Sequence, residues 1–215
     1  MTTHNKLFDL RQEYIQTGLS LQQVLPNPIA QFNLWFNQAV SANLPEPNAM
    51  SLATASKNGK VSSRILLLKE VDQKGFVFFS NYGSNKGKQL DENPGAAMVF
   101  LWLALERQVR IEGNVSKIDK TESDIYFSTR PRESQLGAWA SNQSSKIASR
   151  KELIDRYNQL EQQYTNKPIP RPPYWGGYRL EPIEIEFWQG RPGRLHDRIW
   201  YHKQGEQWKC ERIAP

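Results

Sequence analysis

The stretch MSLATASKNGKVSSRILLLK (50–69) predicts a β-hairpin and points to the fold class. Its two apolar runs, 50–55 and 61–69, flank Asn58-Gly59, a dipeptide that favours the tight turn between antiparallel strands. The same pattern of apolar runs bounded by turn residues predicts further strands at 76–80, 96–105, 108–118, 178–189, 195–202 and 207–212. Every residue of 96–105 is apolar, so we expect that strand to be buried on both faces.

Helical patterns interrupt the strands. Asn27-Pro28 is typical of a helix start, and apolar residues then recur at helical spacing to about Val40. Further helices are predicted at about 119–130, 133–141 and 145–164, with a loop or short helix at 83–94 and a short helical segment at 5–17. The Pro- and Gly-rich stretch 165–177 predicts irregular structure. Short strands, tight turns and inserted helices indicate an antiparallel barrel, mainly β, rather than a βαβ repeat.

Composition limits the class of protein. The chain has 215 residues, a net charge of +6 and one cysteine, Cys210, which excludes an internal disulfide and a thiolate zinc cluster within one chain. Its three histidines include the terminal His4, so we expect no metal site. The basic residues are scattered singly, which favours discrete anion sites over nucleic acid. The longest apolar run is about half of the roughly 20 residues that span a bilayer, so we expect a cytoplasmic protein without a membrane partner.

Three side chains around a proline suggest a phosphate cradle. Tyr126, Arg130 and Ser134 would align on a continuous helix, but Pro131 disfavours helical geometry at Arg130. A second helix would then begin near Ser134, where free backbone N–H groups favour an anion. A Ser helix cap beside a surface Arg is an equally good interpretation of these residues alone.

The segment RLHDR (194–198) carries the densest positive charge. On a strand, Arg194, His196 and Arg198 would share one face, where they repel unless an anion lies among them. A solvated strand face with nearby acidic partners is the competing interpretation.

Two further cationic pairs are weaker signals. Arg64 and Lys69 are five residues apart and point to opposite faces of an ideal strand, so a shared ligand needs a bulge or a strand that ends before Lys69. The loop GSNKGKQ (83–89) holds Lys86 and Lys88 among small residues, but it matches no established phosphate motif.

An ordered set of strings resembles the pyridoxine/pyridoxamine 5′-phosphate oxidase family. They are SSRILLLK, LERQV, YFSTRPRESQLGAWAS, NQSS, PPYWGGYRLEPIEIEFWQG, RLHDR and the C-terminal RIAP. The resemblance runs from about Leu10 to Pro215. It implies an FMN-binding split β-barrel in one domain over 1–215, in a homodimer with FMN at the subunit interface. It also implies oxidation of pyridoxine 5′-phosphate or pyridoxamine 5′-phosphate to pyridoxal 5′-phosphate by O2.

The resemblance also implies roles for individual residues. Arg194 and His196 would be catalytic and would hold the pyridine ring and its reacting carbon. Arg11 and Tyr14 match a weaker pattern that closes over the substrate, so 1–20 is a possible lid. The substrate phosphate would contact Lys69, Tyr126, Arg130 and Ser134. FMN would contact Arg64, Lys69, Phe79, Ser80, Lys86, Gln108, Gln143, Ser144, Trp188 and Arg198.

One departure from the family pattern concerns the flavin site, because Asn85 stands where many members carry Arg. We therefore expect weaker flavin retention. Two alternatives use the same barrel: a non-catalytic protein that binds flavin or pyridoxal phosphate, and a flavin reductase that oxidises a nicotinamide nucleotide.

Overall fold

The computed structural model describes Tyr14 and residues 18–215. These residues form two compact units. We call Asn48–Met98 with Glu112–Pro182 the central unit. The terminal unit comprises the described residues up to Pro47 together with Val99–Ile111 and Ile183–Pro215. The predicted helix at 5–17 lies outside the described residues apart from Tyr14.

Antiparallel strands dominate the described chain. The pairs β1–β2, β3–β4, β4–β7, β7–β8 and β8–β9 are all antiparallel. Hydrogen bonding gives the order β2-β1-β5-β6-β7-β4-β3, and β8 pairs with both β7 and β9. The predicted antiparallel, mainly β fold with helical insertions is confirmed. The strands are β1 (Ala49–Ala55), β2 (Val61–Leu67), β3 (Glu70–Asp72), β4 (Gly75–Asn81), β5 (Gly95–Trp102), β6 (Arg107–Lys117), β7 (Trp175–Gln189), β8 (Asp197–Gln204) and β9 (Gln207–Ile213).

The first helix begins at the predicted start signal. The first begins where Asn27 caps it, since the Asn27 side chain accepts hydrogen bonds from the backbone N–H groups of Ile29 and Ala30 at 2.8 and 3.1 Å. The turn between β1 and β2 uses Gly59, whose φ of 80° favours glycine. The helices are α1 (Pro28–Ser41), α2 (Asn85–Glu92), α3 (Lys120–Thr129), α4 (Arg132–Ala140) and α5 (Arg150–Gln163).

Each unit has an aromatic core. In the terminal unit, Phe32 of α1 packs against Phe100 and Trp35 packs against Phe187, with ring centroids 5.0 and 5.2 Å apart. In the central unit, the buried rings of Phe78 and Tyr178 stack at 5.4 Å across β4 and β7. Burial of such large side chains is the main stabilising contribution to the sheet. Among the described residues, no helix is long and apolar enough to cross a membrane.

The prediction that 96–105 is a strand buried on both faces is wrong. Strand β5 ends at Trp102, and a short 3-10 turn occupies Leu103–Leu105 before Glu106 adopts a left-handed φ of 54°. Met98, Phe100 and Trp102 are buried, whereas Leu101 is 62% exposed. Burial thus alternates along the strand, as in a sheet with one covered face.

Two element boundaries were also predicted wrongly. Gly176 and Gly177 lie within β7 rather than in a loop. A side chain at either would collide with a neighbour, since a Cβ would lie 2.0 Å from the Tyr82 hydroxyl or 2.3 Å from Ile118. These glycines therefore allow close packing and do not break the strand. Helix α5 begins only at Arg150, where the Ser149 hydroxyl accepts from the Glu152 N–H.

The RLHDR segment is not one strand face. Strand β8 begins at Asp197, so Arg198 lies on it and Arg194 and His196 do not. A 3-10 turn covers Pro192–Arg194, and Arg194 has a φ of 62°. The Pro-Gly pair at 192–193 forms this turn, and β8 begins two residues later than predicted.

Candidate functional site

The central unit contains a cavity of about 630 Å³. Helix α3 ends before Pro131 and α4 begins after it, as the sequence predicts. This break lets Tyr126, Arg130 and Ser134 line one cavity, although Ser134 lies inside α4 and does not cap it. Other predicted site residues in the wall are Lys69, Phe79, Ser80 and Gln143.

Arg130 has a buried, unpaired donor in this wall. Its guanidinium carbon lies 4.5 Å from the centroid of the Trp175 ring. Its Nη1 atom is buried and has no hydrogen-bond partner among the described residues. Burial lowers the pKa of Arg130, and Tyr126 acts in the opposite direction. A buried guanidinium nitrogen without an acceptor fits an anionic ligand.

Three nearly parallel aromatic rings form part of the wall. The Tyr126 ring stacks on Phe79 with centroids 3.8 Å apart. Trp175 is parallel to both rings, at 5.4 Å from Phe79 and 6.2 Å from Tyr126. Sequence reasoning missed Trp175, because its only signal is an aromatic residue directly after a proline-rich loop.

Lys69 reaches the cavity because β2 ends at Leu67. A strand that ends before Lys69 is one of the two arrangements that would let Arg64 and Lys69 share a ligand. The Lys69 backbone N–H donates to the Val77 carbonyl at 2.9 Å, so the chain turns towards β4 directly after the strand.

Lys86 is a buried ammonium beside the same cavity. Its Nζ lies 3.1 Å from Ser80 Oγ, 3.3 Å from Ser84 Oγ and 3.0 Å from Gln143 Oε1. All three acceptors are neutral, and within the described chain no carboxylate pairs with it. Burial, and then the nearby charge of Arg64, lower the pKa of Lys86 to about 8. An anion would supply the missing counter-charge.

Arg64 is held by oxygen atoms of its own hairpin. Nη1 donates to the Leu52 carbonyl at 2.9 Å and to Thr54 Oγ1 at 2.7 Å, and Nη2 donates to Ser62 Oγ at 2.6 Å. A guanidinium has five N–H donors, so two are left for a ligand. Burial lowers the pKa of Arg64.

Ser144 lies near the start of α2, where its hydroxyl accepts from the Asn85 N–H at 3.3 Å.

The terminal unit holds the remaining predicted residues. A smaller cavity of about 330 Å³ is lined by Tyr14, Gln108 and Trp188. The Trp188 ring centroid lies 5.5 Å from Tyr14 and 4.6 Å from His196. The structure thus brings Tyr14, Trp188 and His196 into one aromatic cluster. Arg11 lies outside the described residues.

The hydrogen bonding of His196 defines its tautomer. The Arg191 backbone N–H donates to His196 Nδ1 at 3.2 Å. Burial, and then the charge of Arg194, lower the pKa of His196. The imidazole is therefore neutral near pH 7 and carries its proton on Nε2, where it can donate to a ligand.

The two arginines that flank His196 differ in their burial and pairing. Arg194 is exposed. Arg198 forms a fork with Glu186, with Nε–Oε1 and Nη2–Oε2 distances of 2.8 and 2.9 Å, and this bonding raises its pKa. Its Nη1 donates to the Ala214 carbonyl at 2.8 Å, so Arg198 also fixes the C-terminal segment.

Comparison with known proteins identifies relatives over nearly the whole chain. Residues 36–164 match a family described as "Pyridoxamine 5'-phosphate oxidase". Residues 175–215 match the "Pyridoxine 5'-phosphate oxidase C-terminal dimerisation region". The chain is 58% identical to a pyridoxine/pyridoxamine 5′-phosphate oxidase of a Cyanothece species over 207 residues, which is 96% of this chain and 97% of the relative. The Synechocystis protein of the same name is 55% identical, at coverages of 97% and 98%.

Solved structures show the same fold. PhzG from Burkholderia lata, in complex with tetrahydrophenazine-1-carboxylic acid, is 30% identical with a TM-score of 0.89, and the match covers 95% of this chain and all of that one. A pyridoxamine 5′-phosphate oxidase-related, FMN-binding protein from Nostoc punctiforme is 18% identical with a TM-score of 0.69, at coverages of 86% and 97%. These neighbours confirm the predicted fold class.

Proposed function

The chain belongs to the pyridoxamine 5′-phosphate oxidase family and is an oxidoreductase, and we propose that it oxidises pyridoxine 5′-phosphate and pyridoxamine 5′-phosphate to pyridoxal 5′-phosphate. Pyridoxine 5′-phosphate and O2 would give pyridoxal 5′-phosphate and H2O2. Pyridoxamine 5′-phosphate, O2 and water would give the same aldehyde with H2O2 and NH3. We expect the reaction to take place in the cytoplasm.

The observation that carries the proposal is a pair of adjoining cationic clusters in the central unit. One consists of Lys69, Tyr126, Arg130 and Ser134, and it includes the unpaired Nη1 of Arg130. The other consists of Arg64 and Lys86. They adjoin because Ser80 and Gln143 line the cavity and also bind the Lys86 ammonium. A protein that only carried flavin would need one phosphate site, whereas this reaction needs two.

FMN suits the second cluster, because its phosphate would accept from the free donors of Arg64 and would supply a counter-charge for the Lys86 ammonium. The chemistry that FMN would supply when bound is acceptance of a hydride from substrate C4′ at flavin N5, with O2 as the final acceptor. We propose a homodimer with FMN at the subunit interface, in keeping with the dimerisation region at 175–215. The remaining proposed FMN contacts are Lys69, Phe79, Ser80, Gln108, Gln143, Ser144, Trp188 and Arg198.

The protein's own part in the reaction is positioning. Lys69, Tyr126, Arg130 and Ser134 would hold the substrate phosphate. Arg194 and His196 would hold the pyridine ring, with His196 donating from Nε2. Such fixed contacts orient the reacting carbon, and orientation alone contributes a large part of enzymatic rate enhancement. Arg11 and Tyr14 would close over the bound substrate.

The test is an anaerobic absorption spectrum of the FMN-loaded protein before and after addition of pyridoxine 5′-phosphate. We expect the flavin band to bleach and to return on exposure to air, with pyridoxal 5′-phosphate released. A flavin band that substrate leaves unchanged would contradict the proposal. In that case bleaching by NADPH would identify a reductase, and no bleaching by either would identify a binding protein.

A further inference from the structure

Gln89 of helix α2 joins two hydroxyl groups through a single atom. Its Oε1 lies 2.6 Å from Thr54 Oγ1 and 2.7 Å from Ser62 Oγ. Its Nε2 donates to the Lys60 carbonyl at 3.1 Å, which fixes which end of the amide is oxygen. Gln89 therefore accepts from both hydroxyls.

The two hydroxyls are the same ones that hold Arg64. The guanidinium donates to Thr54 Oγ1 and to Ser62 Oγ. A hydroxyl has one hydrogen, and here the oxygen already accepts from Arg64, so that hydrogen points to Gln89. The bonds run in one direction, from guanidinium to hydroxyls to amide oxygen. Each bond in such a chain strengthens the next.

The same helix also carries Lys86. Residues 86 and 89 are neighbours on the surface of α2, since they are three positions apart. Helix α2 thus presents one cation directly and fixes the other through Gln89. The charge of Arg64 lowers the pKa of Lys86, so the two cations repel, and their spacing has to be held by other groups.

We propose that Gln89 is a positioning residue that orients Arg64 towards the phosphate of FMN. This inference rests on the proposed function. Without Gln89, the Thr54 hydroxyl, in a residue only 2% exposed, loses its acceptor and is free to turn. Arg64 then loses the fixed direction of two of its three hydrogen bonds.

The test measures flavin binding to the flavin-free protein by quenching of flavin fluorescence, with FMN and riboflavin compared. Gln89→Met keeps the length of the side chain and removes its hydrogen bonds. We expect it to weaken FMN binding about tenfold and to leave riboflavin binding within about twofold. Thr54→Val should weaken FMN binding as Gln89→Met does. Thr54→Ser keeps the hydroxyl and should bind FMN with the wild-type affinity. Gln162→Met on the exposed surface of α5 is the matched control.

A double variant tests whether the effect passes through Arg64. In an Arg64→Ala background, Gln89→Met should cause no further loss of FMN affinity. Equal losses for FMN and riboflavin, or a full effect in that background, would overturn the inference. Normal FMN binding by Gln89→Met would overturn this inference and leave the proposed function standing. Failure of the wild-type protein to bind FMN would overturn the proposed function and this inference together.

Discussion

The guanidinium of Arg130 lies over the indole ring of Trp175, with its central carbon 4.5 Å from the ring centroid. Arg130 follows directly on helix α3, and Trp175 is the first residue of β7. A planar cation fixed on an aromatic face keeps its donors in one orientation. The unpaired Nη1 therefore has a defined direction before any ligand arrives.

Arg130→Lys should raise the KM for pyridoxine 5′-phosphate by more than about tenfold and change kcat less, because lysine keeps the charge but loses the ring contact and the planar fork. Steady-state kinetics would measure both constants. Arg156→Lys, in a half-buried pair with Glu152 on α5, is the control and should leave KM unchanged. An unchanged KM for Arg130→Lys would contradict the proposed phosphate role.

Gln135→Ala should lower the free energy of unfolding by about 1–3 kcal/mol, because buried carbonyls lose their donor. The Gln135 Nε2 lies 3.0, 3.2 and 3.1 Å from the carbonyl oxygens of Phe127, Ser128 and Arg130. Urea unfolding would measure the change, and Gln159→Ala on the exposed face of α5 is the control. A loss no larger than that of the control would show that Gln135 does not hold the end of α3.

Local patterns predicted much of this fold and part of the site. The Asn-Gly turn, the Asn27 cap and the break at Pro131 depend on neighbouring residues, and each is confirmed. Tyr126, Arg130 and Ser134 line one cavity, which agrees with one of the two interpretations that the break at Pro131 allowed. These signals act within a few residues of the chain, where sequence carries the physical cause directly.

The parts of the fold and the site that were not predicted depend on contacts between residues distant in sequence. Position 176 is a glycine within a strand because Tyr82, more than 90 residues away, occupies the space that a side chain would need. Gln89 meets Thr54 across 35 positions and Ser62 across 27. The turn at 192–194 removed His196 from the predicted strand face, yet its ring meets Trp188. No local pattern specifies such pairs.

The affinity for FMN should fall as pH rises above about 8, by up to about tenfold per pH unit, because Lys86 then loses its proton in the flavin-free protein. The FMN phosphate favours the charged ammonium, so binding takes up a proton in this range. Fluorescence titrations from pH 6.5 to 9.5 would measure the dependence. Riboflavin binding and the Lys86→Met variant should lack it, and an equal slope for riboflavin would exclude the Lys86 explanation.

The value of kcat/KM should fall on the acid side as His196 becomes protonated, at a pH below its ordinary pKa of 6.5. Protonation places a hydrogen on Nδ1, where the Arg191 N–H already donates, so the ring is displaced. Activity measured against pH should show this acid limb in the wild type. The limb should disappear in His196→Asn and persist in His202→Asn, and its persistence in His196→Asn would assign it to another group.

Asn85→Arg should tighten FMN binding several-fold, because it adds a third cation beside Arg64 and Lys86. Asn85 is exposed at the first position of α2, and its backbone N–H is held by Ser144, so the longer side chain needs no rearrangement of the backbone. A cation at a helix N-terminus is unfavourable by about 0.3–1 kcal/mol, so a small loss of thermal stability should accompany the gain. Fluorescence titration would measure the affinity, and Asn85→Gln is the matched control without charge. Equal tightening for riboflavin would show that the new side chain contacts the flavin ring and not its phosphate.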